Sequence, residues 1–334
     1  MQVPAHWCTD FYKVGHRPMY PENTIGIYSN MTARSNKLAP IHPLTGKPVD
    51  YVVNYGMQRA LAQGLMQHWQ STFFNVDKES AVKSYKNMTD AALGPNAIEI
   101  DHLRELHNIG YLPVEIRSLP EGLKVPFGIP LFTITNTDDR FFWLTNYLES
   151  YLSAELWHGI TVATIASIYH DVLTRFAEVT GSPLDFVAWQ GHDFSFRGLS
   201  TPESGSKVSP GHLIPFMGTD TVAAIWTINT YYSGEDTFVG GSVPATEHSV
   251  MCAGGEVGEI ETFRRLIKLY PSGILSVVSD TWDYWNTIGS MAAKLKDEIE
   301  ARTPNALGIA KVVFRPDSGE IGRASCRERV SSPV

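Results

Sequence analysis

From Leu184 onward the chain alternates short apolar runs with polar loops and helical stretches. The segments read LDFVAWQGHDFSFRG, HLIPFMGTDTVAAIWTINTYY, GGSVPATEHS leading to a helix around Phe263–Leu269, GILSVVSDTWDYWN and AKVVFRPDSG. Strand, loop and helix in repeated order build parallel strands, because a parallel neighbour needs a crossover connection. Polar residues recur in phase with this repeat, just past each apolar run. They are Asp193 and Arg197, with Phe194 between them; Thr219 and Asp220; Glu247 and His248; Ser279, Asp280 and Asp283; and Arg315, Asp317 and Ser318. In parallel α/β folds the loops at the carboxyl ends of the strands converge on the ligand. Any one of these side chains reads equally as a helix cap or a surface ion pair; the shared phase is what points to a site.

Within the repeat, Gly240–Ser249 carries the densest chemistry. The pair Gly240–Gly241 hands a bent backbone to Ser242-Val243-Pro244, and Glu247-His248 stands where a helix can begin, so Ser242, Glu247 and His248 can share one rim. Glu, His and a later strand-end Asp suit a site in which an imidazole is oriented and then charged or phosphorylated. A loop histidine is also an ordinary polar residue, and spacing alone leaves both readings open. A metal-dependent barrel hydrolase would need clustered imidazoles at strand ends, and His192, His212 and His248 form no such motif.

Before Leu184 the pattern is helical and β-rich. Val52–Trp69, after a strand-like YVV, and Lys78–Leu93 show helical spacing, Asp101–Asn108 is a short helix, and the Pro- and Gly-broken run from Tyr111 to Thr137 reads as short strands. Phe141–Gly181 predicts two helices, with Trp143, Leu144, Tyr147, Leu148, Tyr151 and Leu152 on one face and Ile165, Ile168, Tyr169, Val172, Leu173 and Phe176 on another. Thr9–Tyr20 reads as a surface turn; the alternative is an arm whose Tyr12 stacks on a flat ligand while Lys13, His16 and Arg17 meet phosphates. Tyr28–Lys37, with Arg34, is either a solvated loop or an anion contact. The expected division is a helical and β-rich module at 1–183, a partial α/β barrel at 184–320 and a foreign tail at 321–334.

Several function classes drop out on composition. A net charge of -8 argues against a nucleic-acid binder. No apolar run approaches a membrane span, and the opening MQVPAHWCTD lacks the basic and hydrophobic regions of a secretory signal, so the cytoplasm is the expected compartment. Cys8, Cys252 and Cys326 lie far apart without a CxxC motif and read as free thiols. The tail Ile321–Val330, IGRASCRERV, has no apolar periodicity and matches the translation of a widely used sequencing adapter, so the native frame is expected to give way at about Glu320; Ser331–Val334 have no such explanation.

Taken in order, TDFYKVGH at Thr9–His16, HDFSFRG at His192–Gly198, GTDT at Gly218–Thr221, SVPATEHS at Ser242–Ser249, SVVSDTWD at Ser276–Asp283 and RPDSG at Arg315–Gly319 resemble the nicotinamide phosphoribosyltransferase family. The resemblance implies a type II phosphoribosyltransferase fold: an incomplete α/β barrel with a smaller β-rich and helical module, working as a homodimer. It implies the joining of nicotinamide to 5-phosphoribosyl 1-pyrophosphate, giving nicotinamide mononucleotide and pyrophosphate in NAD salvage, with Mg2+ required and ATP hydrolysis coupled through a phosphohistidine. Such chemistry wants carboxylate near the ribose, where positive charge develops, and cations at the departing pyrophosphate.

By the same resemblance His248 is the phosphorylated residue, Asp280 the carboxylate that orients it, Asp317 the ribose-diol carboxylate and Arg315 a neighbouring substrate contact. Phe194 and Tyr12 are the rings that sandwich nicotinamide, the Tyr coming from the other subunit. Asp220 accepts from the carboxamide NH2 and would repel a nicotinate carboxylate. Arg197, Ser242 and Ser276 line the substrate site, and Arg34 faces pyrophosphate from the neighbouring subunit. No residue is assigned as a metal ligand. Family members are longer, with their Gly-rich phosphate loop beyond RPDSG, so the chain is expected to be C-terminally truncated and weak or inactive as it stands. Phe11 stands where the family pattern has a small residue. The alternatives are a nicotinate phosphoribosyltransferase, against which Asp220 weighs, and a non-catalytic nucleotide-binding fragment.

Overall fold

The computed structural model describes residues 3–234 and 237–317. The tail 321–334, together with Ser318, Gly319 and Glu320, lies outside the described residues. Two compact units, Met1–Gly241 and Ser242–Val334, make up the chain.

The first unit is built on one helix, Phe142–Thr180, of 39 residues. Its first half buries Trp143, Leu144, Tyr147, Leu148, Tyr151 and Leu152, the stripe expected from the sequence. The expectation of two helices is corrected: the second apolar stripe continues the same helix, and its members Ile165, Tyr169 and Phe176 are exposed. The change of face reflects a change of neighbours along one rod. Gly159 is no break, because a Cβ there would lie 2.8 Å from the Tyr55 ring; the glycine admits that ring. The helix ends where Gly181 takes φ 71, which favours glycine, and its N–H bonds to Ala177 O.

Against this helix lies a three-stranded antiparallel sheet ordered β1 (Tyr28–Thr32), β5 (Pro130–Asn136), β3 (Val114–Ser118). Central β5 buries Leu131, Phe132 and Ile134. A second antiparallel pair joins β2 (Tyr51–Val53) to β4 (Lys124–Pro126). Residues 57–74 form a helix with a large share of wide π turns, burying Trp69 and Phe73 completely. Helices Lys78–Leu93, capped by Asp77 accepting from Ser80 N–H, and Asp101–Ile109 complete the layer and bury Val82, Tyr85, Leu103 and Leu106. Each such side chain contributes about 1.5–3 kcal/mol by leaving water.

One polar knot sits inside this apolar layer. Arg59, 0% exposed, donates from Nη1 to Glu155 Oε2 at 2.6 Å and from Nη2 to Glu155 O at 2.8 Å, and Lys207 pairs with the other Glu155 oxygen. Burial acts to raise the Glu155 carboxyl, and the charges of Arg59 and Lys207 outweigh it, leaving the group below its ordinary range.

The N-terminal segment is docked, as the surface-turn reading expects. Thr9 Oγ1 donates to Tyr147 O at 2.9 Å, and Lys13 is buried with Nζ donating to Asn146 O at 2.9 Å and paired with Glu149. A buried lysine already bonded inside the unit does not serve as a phosphate arm. Tyr28–Thr32, left open between loop and anion contact, is β1.

Two expected strands are corrected. Leu184–Trp189 is a single tight helical stretch and Ser209–Leu213 another, with strand pairing confined to β6 (His192–Asp193) and β7 (Gly218–Thr219), which are parallel. The apolar run LDFVAW does not line a core: Leu184 is 54% and Phe186 48% exposed, and Val187 is the buried one. Gly241 bridges Gly218 in parallel, closing the first unit.

In the second unit β8 (Gly273–Val278) and β9 (Ala310–Arg315) pair in parallel, from Gly273↔Ala310 to Val278↔Arg315, as their apolar runs predict. Helix Glu259–Leu269 lays Phe263, Leu266 and Ile267 on Leu275, Val277 and Val278, with Met251, Met291 and Leu295 filling the same core. Ala245 bridges Ser276 in parallel.

Candidate active site

The polar clusters do fall at the carboxyl ends of the parallel segments. In the first unit, β6 ends in Asp193-Phe194 and β7 in Thr219-Asp220. Asp193 turns inward at 7% exposure; its Oδ1 accepts from Ser195 N–H at 3.0 Å and its Oδ2 from Thr219 Oγ1 at 3.1 Å. Burial acts to raise this carboxyl, and hydrogen bonds from Thr221, Ser195 and Thr219 overcome it, so it stays below the usual carboxylate range. The neighbours alternate outward, as extended chain requires. Phe194 is 62% exposed, with its ring centroid 4.7 Å from that of His192. His192 Nε2 stands 2.7 Å from Asp220 Oδ2, and Asp220 N–H donates to Asp193 O at 2.9 Å. The arrangement is an exposed aromatic face beside a carboxylate whose backbone N–H is held by the Asp193 carbonyl.

Phe194 also borders a hollow of about 510 Å³, walled by Val162, Ile165 and Tyr169 of the long helix and by Gly191 and Phe216. His212 lies on its edge with Nε2 3.2 Å from Gly191 O, and burial lowers its pKa. Arg197 is exposed in the turn Phe196–Gly198. Tyr12 is 63% exposed on the docked N-terminal segment, and Arg34 is exposed beyond β1.

The second unit gathers the remaining residues around an imidazole. His248 opens the helix His248–Cys252, with Glu247 in extended conformation at the cap position, as the sequence suggests. Two residues earlier, Thr246 is tied on three sides: its N–H donates to Ser276 O at 3.0 Å, its hydroxyl accepts from Val278 N–H at 2.9 Å, and its carbonyl accepts from Arg315 Nη2 at 2.8 Å. His248 Nε2 lies 3.2 Å from Asp280 Oδ1 and Nδ1 lies 3.6 Å from Asp317 Oδ2. Asp317 N–H donates to Asp280 Oδ2 at 2.7 Å, and Arg315 pairs with the Asp317 carboxylate. Both ring nitrogens thus face carboxylates, an arrangement that orients the imidazole ring.

Of the residues singled out from the sequence, His248, Asp280, Asp317 and Arg315 form this one cluster, and Phe194 and Asp220 form the other. Ser276 is 7% exposed within β8, its N–H donating to Pro244 O at 2.9 Å, and Ser242 is exposed. His192 was not singled out as a site residue. Its signal was readable, since residues two apart on extended chain share a face and His192 stands two before Phe194. Thr246 was missed as well; nothing in a lone threonine announces three such hydrogen bonds.

Comparison with known proteins gives a consistent picture. The nicotinate phosphoribosyltransferase (NAPRTase) family model matches residues 189–327. The chain is 50% identical over 319 residues to nicotinamide phosphoribosyltransferase of Acinetobacter baylyi, covering 95% of this chain and 62% of that protein. It is 30% identical to nicotinamide phosphoribosyltransferase of Mycoplasma pneumoniae, covering 97% of this chain and 68% of that one. Among solved structures, human nicotinic acid phosphoribosyltransferase superposes with a TM-score of 0.58 at 16% identity over 96% of this chain and 63% of that chain, a likeness of fold. The chain therefore spans about 62% of the length of the Acinetobacter relative. With its mixed α/β architecture and its identity to these relatives, the chain belongs to the NAPRTase family of phosphoribosyltransferases, among relatives named nicotinamide phosphoribosyltransferase.

Proposed function

We propose that the protein carrying this chain joins nicotinamide to 5-phosphoribosyl 1-pyrophosphate, releasing pyrophosphate and forming nicotinamide mononucleotide in NAD salvage in the cytoplasm. The observation that carries the proposal is the His248 imidazole set between Asp280 and Asp317 with Arg315 alongside. In this reading His248 takes a phosphoryl group from ATP, Asp280 holds the ring, Asp317 takes the ribose diol and Arg315 makes a neighbouring substrate contact. Phe194 stacks on the pyridine and Asp220 accepts from the carboxamide. The exposure of Tyr12 supports its arrival at a second copy's pyridine, which makes the active form a homodimer, with Arg34 facing pyrophosphate. Arg197, Ser242 and Ser276 line the substrate. The fold is read as the type II α/β barrel in part, with the functional division at Pro183/Leu184.

Mg2+ suits the donor set. Among the described residues no cluster of three or more His, Cys, Asp or Glu side chains is spaced to enclose an ion, while Asp280 and Asp317 offer two carboxylates beside His248. Mg2+ commonly takes one or two carboxylates and completes its shell with water and phosphate oxygens, whose charge it neutralises when bound.

The nicotinate reading finds no favour at Asp220, since an ionised carboxylate repels an acid and accepts from an amide. The test is to supply ATP and measure acid-labile phosphate on the protein and mononucleotide formed, in the native protein and in His248→Ala. Loss of the label with a fall in turnover is expected. Equal labelling in the two proteins would refute the assignment of His248.

A further inference from the structure

His192 is boxed on three sides. The Phe194 ring lies 4.7 Å away between centroids, Asp220 Oδ2 stands 2.7 Å from Nε2, and Gly218 closes the side of Nδ1, where a Cβ would come within 2.6 Å. The backbone around the partner is fixed too. Asp220 N–H donates to Asp193 O, and Thr219 hydrogen-bonds the buried Asp193 carboxylate. These bonds set the Asp220 Cα, yet an aspartate keeps two rotatable side-chain bonds, and its side chain is 40% exposed. The Nε2–H of His192 is a donor placed to fix the carboxylate plane, and the wall made by Gly218 and Phe194 keeps that donor from swinging away.

We infer that His192 is a positioning residue that sets the choice between a neutral pyridine carboxamide and a pyridine carboxylate, by holding the Asp220 carboxylate through Nε2–H. The inference rests on the reading of this face as the pyridine site. A carboxylate selects amide over acid when it is aimed at the substituent, because it accepts from NH2 and opposes a like charge. The charge-assisted bond from Nε2–H constrains one oxygen of Asp220; without that constraint the carboxylate is aimed less firmly and both effects weaken.

The test compares the wild-type chain with His192→Phe, His192→Gln, Asp220→Asn and the double variant His192→Phe/Asp220→Asn, titrated calorimetrically with nicotinamide and with nicotinate. His192→Phe keeps the ring and loses the donor; the preference for nicotinamide should fall roughly tenfold, the loss of one hydrogen bond to a charged group. His192→Gln places an amide N–H near the same position and should stay within about threefold of wild type, since the bond is preserved. Acting through Asp220, the double variant should match Asp220→Asn alone. A wild-type preference lost in Asp220→Asn and kept in His192→Phe would overturn the role of His192 and leave the functional reading standing. Losses that add in the double variant would likewise overturn it. If the wild-type chain binds neither ring, the pyridine-site reading itself fails, and the inference with it.

Discussion

Glu155→Ala tests how the first unit holds a charge in its interior. The Arg59 side chain is 0% and the Glu155 side chain 8% exposed, so neither charge is solvated by bulk water. Truncation removes the carboxylate that Arg59 meets at 2.6 Å and that Lys207 meets at its other oxygen, leaving two cations facing each other, with Arg59 keeping its bonds to the Glu155 carbonyl at 2.8 Å and to Gln63 Oε1 at 3.3 Å. Breaking a buried pair by removing one partner costs about 3–5 kcal/mol, because the stranded charge keeps its desolvation penalty. That loss is large beside the total stability of an ordinary domain, about 5–15 kcal/mol. Urea unfolding followed by far-UV circular dichroism would read it as a lower midpoint at unchanged slope. The companion triple variant Arg59→Met, Glu155→Leu, Lys207→Met replaces the whole knot with apolar volume and should return to within about 2 kcal/mol of wild type. A single variant that loses less than about 1 kcal/mol, or a triple variant as unstable as the single, would refute the reasoning.

Two further outcomes are expected. His6 and His102 are buried against aromatic rings and held neutral, each with its pKa lowered from 6.5 to about 4, chiefly by burial. The unfolded chain binds those protons first, so stability should fall as pH drops below 6.5 and level off below about 4, by about 3 kcal/mol per histidine; thermal melts across that window check it, and a flat profile would contradict the burial argument. Gly218→Ala puts a Cβ 2.9 Å from Gly191 O and against His192, and should lower the unfolding free energy by about 1–3 kcal/mol in the same urea assay; an unchanged midpoint would show that the β6–β7 contact yields without strain.

The second unit was the more legible in the sequence. GILSVV and AKVVFR are true strands because their apolar residues meet one core, Leu275, Val277 and Val278 buried in it and Val312 and Phe314 packed against it, and Asp280 and Asp317 follow them wherever the strand ends are drawn. LDFVAW misled because an apolar run of that length suits a strand or a tight turn equally, and here the surface wins: Trp189 is 39% exposed. Phasing survived the misreading, since it depends on where the loops begin and not on how long the strands are. The continuity of Phe142–Thr180 was hidden because a rotating apolar face looks like two helices until the neighbours along the rod are known. His192 and Thr246 escaped for a shared reason: their importance is relational, in one case a bond across two strand ends and in the other a set of backbone contacts that no residue type signals.

Thr246 also separates two kinds of mutability. By binding Ser276, Val278 and Arg315 through its own N–H, hydroxyl and carbonyl, it sets the path of the chain two residues before the imidazole. The imidazole is therefore a passenger on a scaffold fixed by Thr246. Descendants of such a chain can discard the imidazole and keep the architecture, while loss of the threonine would loosen both together. Relatives in this lineage should accordingly be found with an altered residue 248 and an intact residue 246.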